Sequence, residues 1–152
     1  MSADLLLGKM MKYITLKNND KLCKLGMGSW FIGDNPNRRK DEIAAFRLGI
    51  ENGVNLIDTA EMYGNGRSER LIGEAIRPYA RSSLYIVSKV LPNNANANNM
   101  ERACDNSLKN LGTDYLDMYL YHWRGATPLD ETIKELEHLK MLPTANFEKR
   151  NH

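Results

Sequence analysis

"VNLIDTAEMYGNGRSERLIGEAIRPYARSSLYIVSKV", residues 54–90, contains a whole strand–helix–strand unit, and its reading decides the fold. It opens on the apolar residues Val54, Leu56 and Ile57 and turns polar at Asp58. In "SERLIGEAIRPYA" that follows, Leu71, Ile72, Ala75 and Ile76 recur at helical spacing and Pro78 marks the stop. "LYIVSKV" (84–90) then returns to an apolar, β-branched run that carries Lys89 at its end. Two strands joined by a helix through short loops predict a parallel pair with a right-handed crossover.

The same alternation extends to both sides. Upstream, "KYITLKNNDKLCKL" (12–25) reads as a small hairpin around the turn formers Asn18, Asn19 and Asp20. "LGMGSW" (25–30) is a short strand with a glycine-bearing turn, and "RRKDEIAAFRLGIENGV" is a helix that stops at Asn52-Gly53. Downstream, "NMERACDNSLKNLG" spaces Met100, Ala103, Ser107, Leu108 and Leu111 as a helix face before Gly112. "DYLDMYLYHW" (114–123) is a fourth strand, and "PLDETIKELEHLK" (128–140) a helix opened by Pro128. The fold class is α/β, a hairpin followed by four βα units. An open doubly wound sheet and a closed barrel of eight such units both use this order, and four units are half of the second.

Composition excludes several classes. With 152 residues, 42% hydrophobic and 26% charged, the chain is an ordinary globular domain. A net charge of +2, with its basic residues scattered, leaves no footprint for nucleic acid or an anionic membrane surface. Cys23 and Cys104 stand in no CxxC or near-histidine spacing, which predicts buried thiols in a reducing compartment and no metal site. "MSADLLLGKMMKY" has only three consecutive leucines before Lys9, too short for a signal-peptide core, and no window approaches the ~18 apolar residues of a membrane span. A cytoplasmic protein is expected.

Two glycine pairs resemble nucleotide fingerprints and fail as such. "GMGSWF" places Phe31, and "GNGRSE" places Glu69, where a third glycine must let helix and strand approach. Gly26 and Gly28 read more simply as a tight turn after a strand. The stronger signal is positional. Asp58, Lys89 and His122 close three successive strands, and Tyr63 sits in the loop just after the first of them. In parallel α/β folds the C-terminal strand ends share one rim, where polar side chains converge. Singly, Asp58 reads as a turn cap, Lys89 as a snorkelling amine, His122 as a core histidine and Tyr63 as packing with a wet hydroxyl. Together they form a proton-transfer device. An ammonium near a phenol favours the phenolate, a carboxylate holds that ammonium, and a histidine donates to a carbonyl oxygen as charge develops there. None of these side chains donates hydride, so such a device requires an external cofactor.

At these residues the chain resembles the aldo-keto reductase family, in wording most like its bacterial members. "LGMGSW", "NLIDTAEMYGNGRSERLIGEAI", "YIVSKVLP" and "SLKNLGTDYLDMYLYHW" follow in the family's order and spacing over about residues 12–140. The resemblance implies a (β/α)8 TIM barrel that reduces an aldehyde or ketone with a nicotinamide cofactor, usually NADPH. It implies Tyr63 as proton donor, Lys89 as the ammonium that eases proton loss, Asp58 as the partner of Lys89, and His122 as the histidine that orients substrate. Gly28, Ser29 and Trp30, with Asp58, match positions along the cofactor, while Trp30, His122 and Trp123 match the substrate pocket.

The resemblance ends near residue 140. After "ELEHLK" the chain reads "MLPTANFEKRNH", so that 141–152 is expected to be a divergent tail on a single truncated reductase domain spanning 1–152. A half-barrel leaves an apolar sheet face and two strand edges unpaired, which predicts weak NADPH binding and a possible homodimer through those edges. The alternative is a non-catalytic fragment or interaction module that retains the active-site residues.

Overall fold

The computed structural model describes residues 11–142. Most of the expected divergent tail, 143–152, and the leucine-bearing start, 1–10, lie outside the described residues. Strands β1 (Tyr13–Thr15) and β2 (Lys21–Cys23) pair antiparallel, with Tyr13 opposite Cys23. Asn19 makes their turn possible by taking φ 68°, a left-handed conformation that asparagine tolerates. The hairpin is fastened by side chains that precede the main sheet. Asn55 accepts from the Cys23 amide (2.8 Å) and donates to the Lys21 carbonyl (2.8 Å), and the Tyr13 hydroxyl donates to the Gly53 carbonyl (2.6 Å). It therefore lies at the N-terminal end of the parallel strands, away from the rim.

Four parallel strands follow in the order β3 (Gly26–Gly28), β4 (Leu56–Asp58), β5 (Tyr85–Val90) and β6 (Met118–Tyr121). Between and after them come α1 (Arg39–Glu51), α2 (Arg67–Ile76), α3 (Met100–Leu111) and α4 (Leu129–Met141). This is the α/β arrangement of a hairpin and four βα units read from the sequence. Register aligns Gly28 with Asp58, Asp58 with Val87 and Val87 with Met118, so side chains alternate between two faces across the whole sheet.

One face carries Ile57, Ile86, Ser88 and Val90, all fully buried under the helices, together with Met27, whose sulfur lies against Gly49 of α1. Each full aliphatic burial there contributes roughly 1.5–3 kcal/mol. Helix α2 adds Leu71, Ile72, Ala75 and Ile76, and α3 adds Met100, Ala103, Cys104, Leu108 and Leu111. The two helices approach closely at Gly73, where a Cβ would stand 2.6 Å from the Leu111 carbonyl oxygen. The opposite face carries Leu56, Asp58, Tyr85, Val87, Lys89, Met118 and Leu120, of which Met118 and Leu120 remain 40% and 38% exposed.

Two sequence readings change. Gly26 and Gly28 are strand residues without positive φ, not turn residues. Leu56 covers Gly26, where a Cβ would meet its side chain at 2.8 Å, while the space over Gly28 is open. The fourth strand begins at Met118 and not at Asp114, because the Asp117 carboxylate takes over the ladder's role. It accepts from the Ile86 amide (2.6 Å) and pairs with Arg81 (2.8 Å), whose guanidinium also caps the Leu84 and Tyr115 carbonyls. Cys23 and Cys104 are buried free thiols, and burial pushes the Cys104 thiol up to about 12. No helix among the described residues is long and apolar enough to cross a membrane.

Candidate active site

The C-terminal ends of β4, β5 and β6 bring Asp58, Lys89 and His122 to one rim. Lys89 is the centre. Its Nζ donates to Asp58 Oδ1 (2.7 Å) and to the Thr59 carbonyl (2.8 Å), and approaches Tyr63 Oη at 3.4 Å. The lysine side chain is 13% exposed whereas the Asp58 side chain is 42% exposed, so the ammonium is enclosed and its carboxylate partner still faces outward. Tyr63 reaches the amine because its loop coils back immediately after β4. The Tyr63 amide donates to the Ala60 carbonyl (3.0 Å), and Gly64, Asn65 and Gly66 take left-handed conformations before α2 begins.

His122 stands across the phenol, its ring edge-on to Tyr63 with centroids 5.6 Å apart. Its amide donates to the Val90 carbonyl (3.0 Å), continuing the β5–β6 ladder. Burial lowers its pKa below the usual histidine value, the Lys89 charge lowers it further, and Asp58 opposes them, so the imidazole is neutral at neutral pH. Its Nδ1 is buried without a hydrogen-bond partner among the described residues.

Aromatic rings line the site. Trp30 stacks on Tyr63 (6.0 Å, 9° between planes), Phe31 on Trp30 (5.2 Å, 11°), and Trp123 tilts against His122 (4.6 Å). Trp30 is 60% and Trp123 48% exposed, so apolar ring surface stays open beside both Tyr63 and His122. In the sequence Phe31 reads only as a failed glycine position. Its φ of 65° is costly for a bulky side chain, and that conformation presents its ring to Trp30. Neither the stacking nor the Thr59 carbonyl that holds Lys89 has a signal in sequence spacing.

Ser29 sits differently from the other predicted residues. It is fully buried, its amide donates to the Asp58 carbonyl (3.0 Å), and its own carbonyl accepts from Ser68 Oγ (2.9 Å). It therefore locks the loop after β3 to the loop after β4 and offers no surface atom to a ligand. Gly28, Trp30 and Asp58 do. No group of three or more histidine, cysteine, aspartate or glutamate side chains able to hold a metal occurs among the described residues.

Comparison with known proteins bears on the same residues. The aldo/keto reductase family matches residues 24–142. The methylglyoxal reductase YeaE of Escherichia coli K12 is 44% identical over 128 residues, which cover 84% of this chain and 45% of that protein. The aldo-keto reductase YhdN of Bacillus subtilis 168 is 35% identical over 129 residues, 76% of this chain and 39% of that one. A crystal structure of an aldo-keto reductase from Klebsiella pneumoniae in complex with NADPH matches with a TM-score of 0.80 at 45% identity, covering 86% of this chain and 46% of that one.

A parallel sheet of βα units in this order defines half of a (β/α)8 barrel. The chain belongs to the aldo/keto reductase family. It spans about half the length of the relatives it matches, and its four βα units correspond to the N-terminal half of their barrel.

The space over Gly28 is open, and its register partner Asp58 keeps its side chain 42% exposed after pairing with Lys89, so both leave room for a ligand at the rim.

Proposed function

We propose that the chain carries the proton-delivery half of an NAD(P)H-dependent carbonyl reductase, with Tyr63 as the proton donor to an aldehyde or ketone. The observation that carries this reading is the enclosed Lys89 ammonium, held by Asp58 at 2.7 Å and by the Thr59 carbonyl at 2.8 Å while it faces Tyr63 Oη at 3.4 Å. Gly28, Trp30 and Asp58 would hold the nicotinamide end, with Ser29 fixing their loop from beneath. When bound, the reduced nicotinamide supplies hydride to the carbonyl carbon.

The chain's own groups handle the proton. Neutral His122 donates an N–H to the carbonyl oxygen and stabilises the charge that builds there. Tyr63 then gives its hydroxyl proton to that oxygen, and Lys89 compensates the phenolate left behind. Asp58 keeps the ammonium in place and its charge balanced. Trp30 and Trp123 exclude water from the apolar part of the substrate. YeaE is a methylglyoxal reductase, which makes a small aldehyde of that kind the first substrate to try.

A second reading, a non-catalytic fragment that keeps this site, is favoured by Met118 and Leu120, which remain 40% and 38% exposed on the interior-type face of the sheet. The two tryptophans, Trp30 and Trp123, are the only ones in the chain and both border the site, so their fluorescence reports on cofactor. Saturable quenching by NADPH together with aldehyde-dependent NADPH oxidation supports the reductase. No quenching up to millimolar cofactor favours the fragment.

A further inference from the structure

We propose that Glu61 is a positioning residue for the proton-delivery site: its carboxylate ties the backbone just beyond Lys89 to the loop that carries Tyr63, and so sets the contact between Lys89 Nζ and Tyr63 Oη. The inference rests on the reading of Tyr63 as proton donor and deepens it, because it names the group that keeps donor and ammonium together. Glu61 stands in the short loop between Asp58 and Tyr63.

The main chain prepares this role and leaves it unfinished. Beyond β4 the backbone keeps running alongside β5. The Thr59 amide donates to the Val87 carbonyl (2.9 Å) and the Glu61 amide to the Lys89 carbonyl, the latter bond stretched to 3.4 Å. The ladder then stops, because the chain coils at Tyr63, whose amide turns back to the Ala60 carbonyl (3.0 Å). In a parallel ladder the next rung belongs to the Leu91 amide. The Glu61 side chain supplies its acceptor, with Oε1 taking that amide at 2.5 Å in a short, charge-assisted bond. Asp117 does the same for the Ile86 amide at the start of β5 (2.6 Å). The strand that carries Lys89 therefore has a carboxylate in place of a backbone rung at each end.

Asn94 steadies the tether, its Nδ2 donating to Oε1 (3.1 Å) and Oε2 (3.0 Å) of Glu61. The turn that carries Asn94 is closed by its own amide on the Leu91 carbonyl (2.9 Å). Ala95, the next residue, is fully buried, and its carbonyl accepts from Thr132 Oγ1 (2.9 Å), which anchors this loop to α4. Between Lys89 and Leu91 lies Val90, whose carbonyl accepts the His122 amide (3.0 Å). Fixing Leu91 thus fixes the backbone from which Lys89 and His122 both project, against the loop that leads to Tyr63. The bonds from Lys89 Nζ to Asp58 and Thr59 hold only the tip of a flexible side chain. Without Glu61 the end of β5 is joined to the Tyr63 loop by the 3.4 Å rung, and a displacement of about 1 Å between reacting groups costs about 10²-fold in rate.

Glu61→Ala and Glu61→Gln separate the tether from its charge, since both donors are neutral amides that a glutamine oxygen still accepts. In the full chain, the wild type is expected to give a nuclear Overhauser contact between the Lys89 side chain and the Tyr63 ring, whose centroid lies 5.0 Å from Nζ. Glu61→Ala is expected to lose that contact and to lower kcat for NADPH-dependent aldehyde reduction by about 10–100-fold, with NADPH affinity within a factor of about two. Glu61→Gln is expected to restore the contact and most of the rate. A merely structural role would lower the melting temperature of Glu61→Ala and leave the contact and the rate per folded molecule unchanged. Should Glu61→Ala not fold, Asn94→Ala decides by the same readouts, expected to move in the same direction by less. The proposal is overturned if the alanine variant keeps the contact, or if Glu61→Gln fails as Glu61→Ala does. If the wild type reduces no aldehyde, the proposed function fails by itself and the contact alone decides: lost in alanine and restored in glutamine upholds the tether, and unchanged in both overturns it.

Discussion

Two ion pairs of similar geometry should respond in opposite ways when their cation is removed. Lys89–Asp58 spans 2.7 Å at the rim, and Arg81–Asp117 spans 2.8 Å at the entry to β5 and β6. Their carboxylates differ in solvent contact, with the Asp58 side chain 42% exposed and the Asp117 side chain at 0%. In Lys89→Met the Asp58 carboxylate rehydrates, and the main loss is the hydrogen bond to the Thr59 carbonyl, so stability should fall by only about 1–2 kcal/mol. In Arg81→Met the Asp117 carboxylate loses its guanidinium partner without gaining water, and the Thr113, Leu84 and Tyr115 oxygens each lose one donor, together with the stacking at 3.9 Å on the Tyr115 ring. That loss should reach about 3–5 kcal/mol. For a chain of this size the difference corresponds to Tm decreases of roughly 2–8 °C and 6–20 °C. Function should rank them the other way. Lys89→Met should reduce turnover by about 10²–10⁴, whereas the folded fraction of Arg81→Met should turn over normally. Thermal melts by circular dichroism and NADPH-coupled rates per folded molecule measure both. Equal melting losses, or full turnover in Lys89→Met, would refute the assignment of one pair to chemistry and the other to folding.

Other tests address separate parts of the molecule. Because His122 has its pKa lowered from 6.5, the unfolded chain binds the proton more readily. Stability should therefore decline as pH falls through 6.5, level off below the folded-state value, and lose this dependence in His122→Gln, as urea titrations across that range will show. Gly73→Ala should destabilise by about 1–3 kcal/mol in chemical denaturation, because its Cβ would meet the Asn110 and Leu111 carbonyl oxygens at 2.7 and 2.6 Å. Cys104, buried and with its pKa near 12, should resist thiol reagents at mildly alkaline pH until the chain unfolds.

The parts of the fold legible in the sequence were those fixed by local periodicity. Leu71, Ile72, Ala75 and Ile76 mark α2 because one helix face is buried, and Gly112 stops α3 because its φ of 64° suits glycine. Strand ends were legible as the points where apolar runs meet Asp58, Lys89 and His122. The missed features depend on tertiary partners. "DYLD" has strand composition, yet Arg81, distant in sequence, draws Asp117 into a ladder position and shortens β6. Ser29 reads as a loop hydroxyl, and only its bond with Ser68 shows it to be internal. Phe31 acquires a role through a positive φ that composition does not signal.

The central claim is that the Tyr63 hydroxyl, held beside Lys89 at 3.4 Å, delivers the proton to a carbonyl. The most direct measurement compares wild type and Tyr63→Phe for NADPH-dependent aldehyde reduction and for NADPH affinity on the same samples. Cofactor affinity within a factor of about two, with turnover lower by at least about 10², is the predicted result. Undiminished reduction by the phenylalanine variant would contradict it, since the proton would then come from another group.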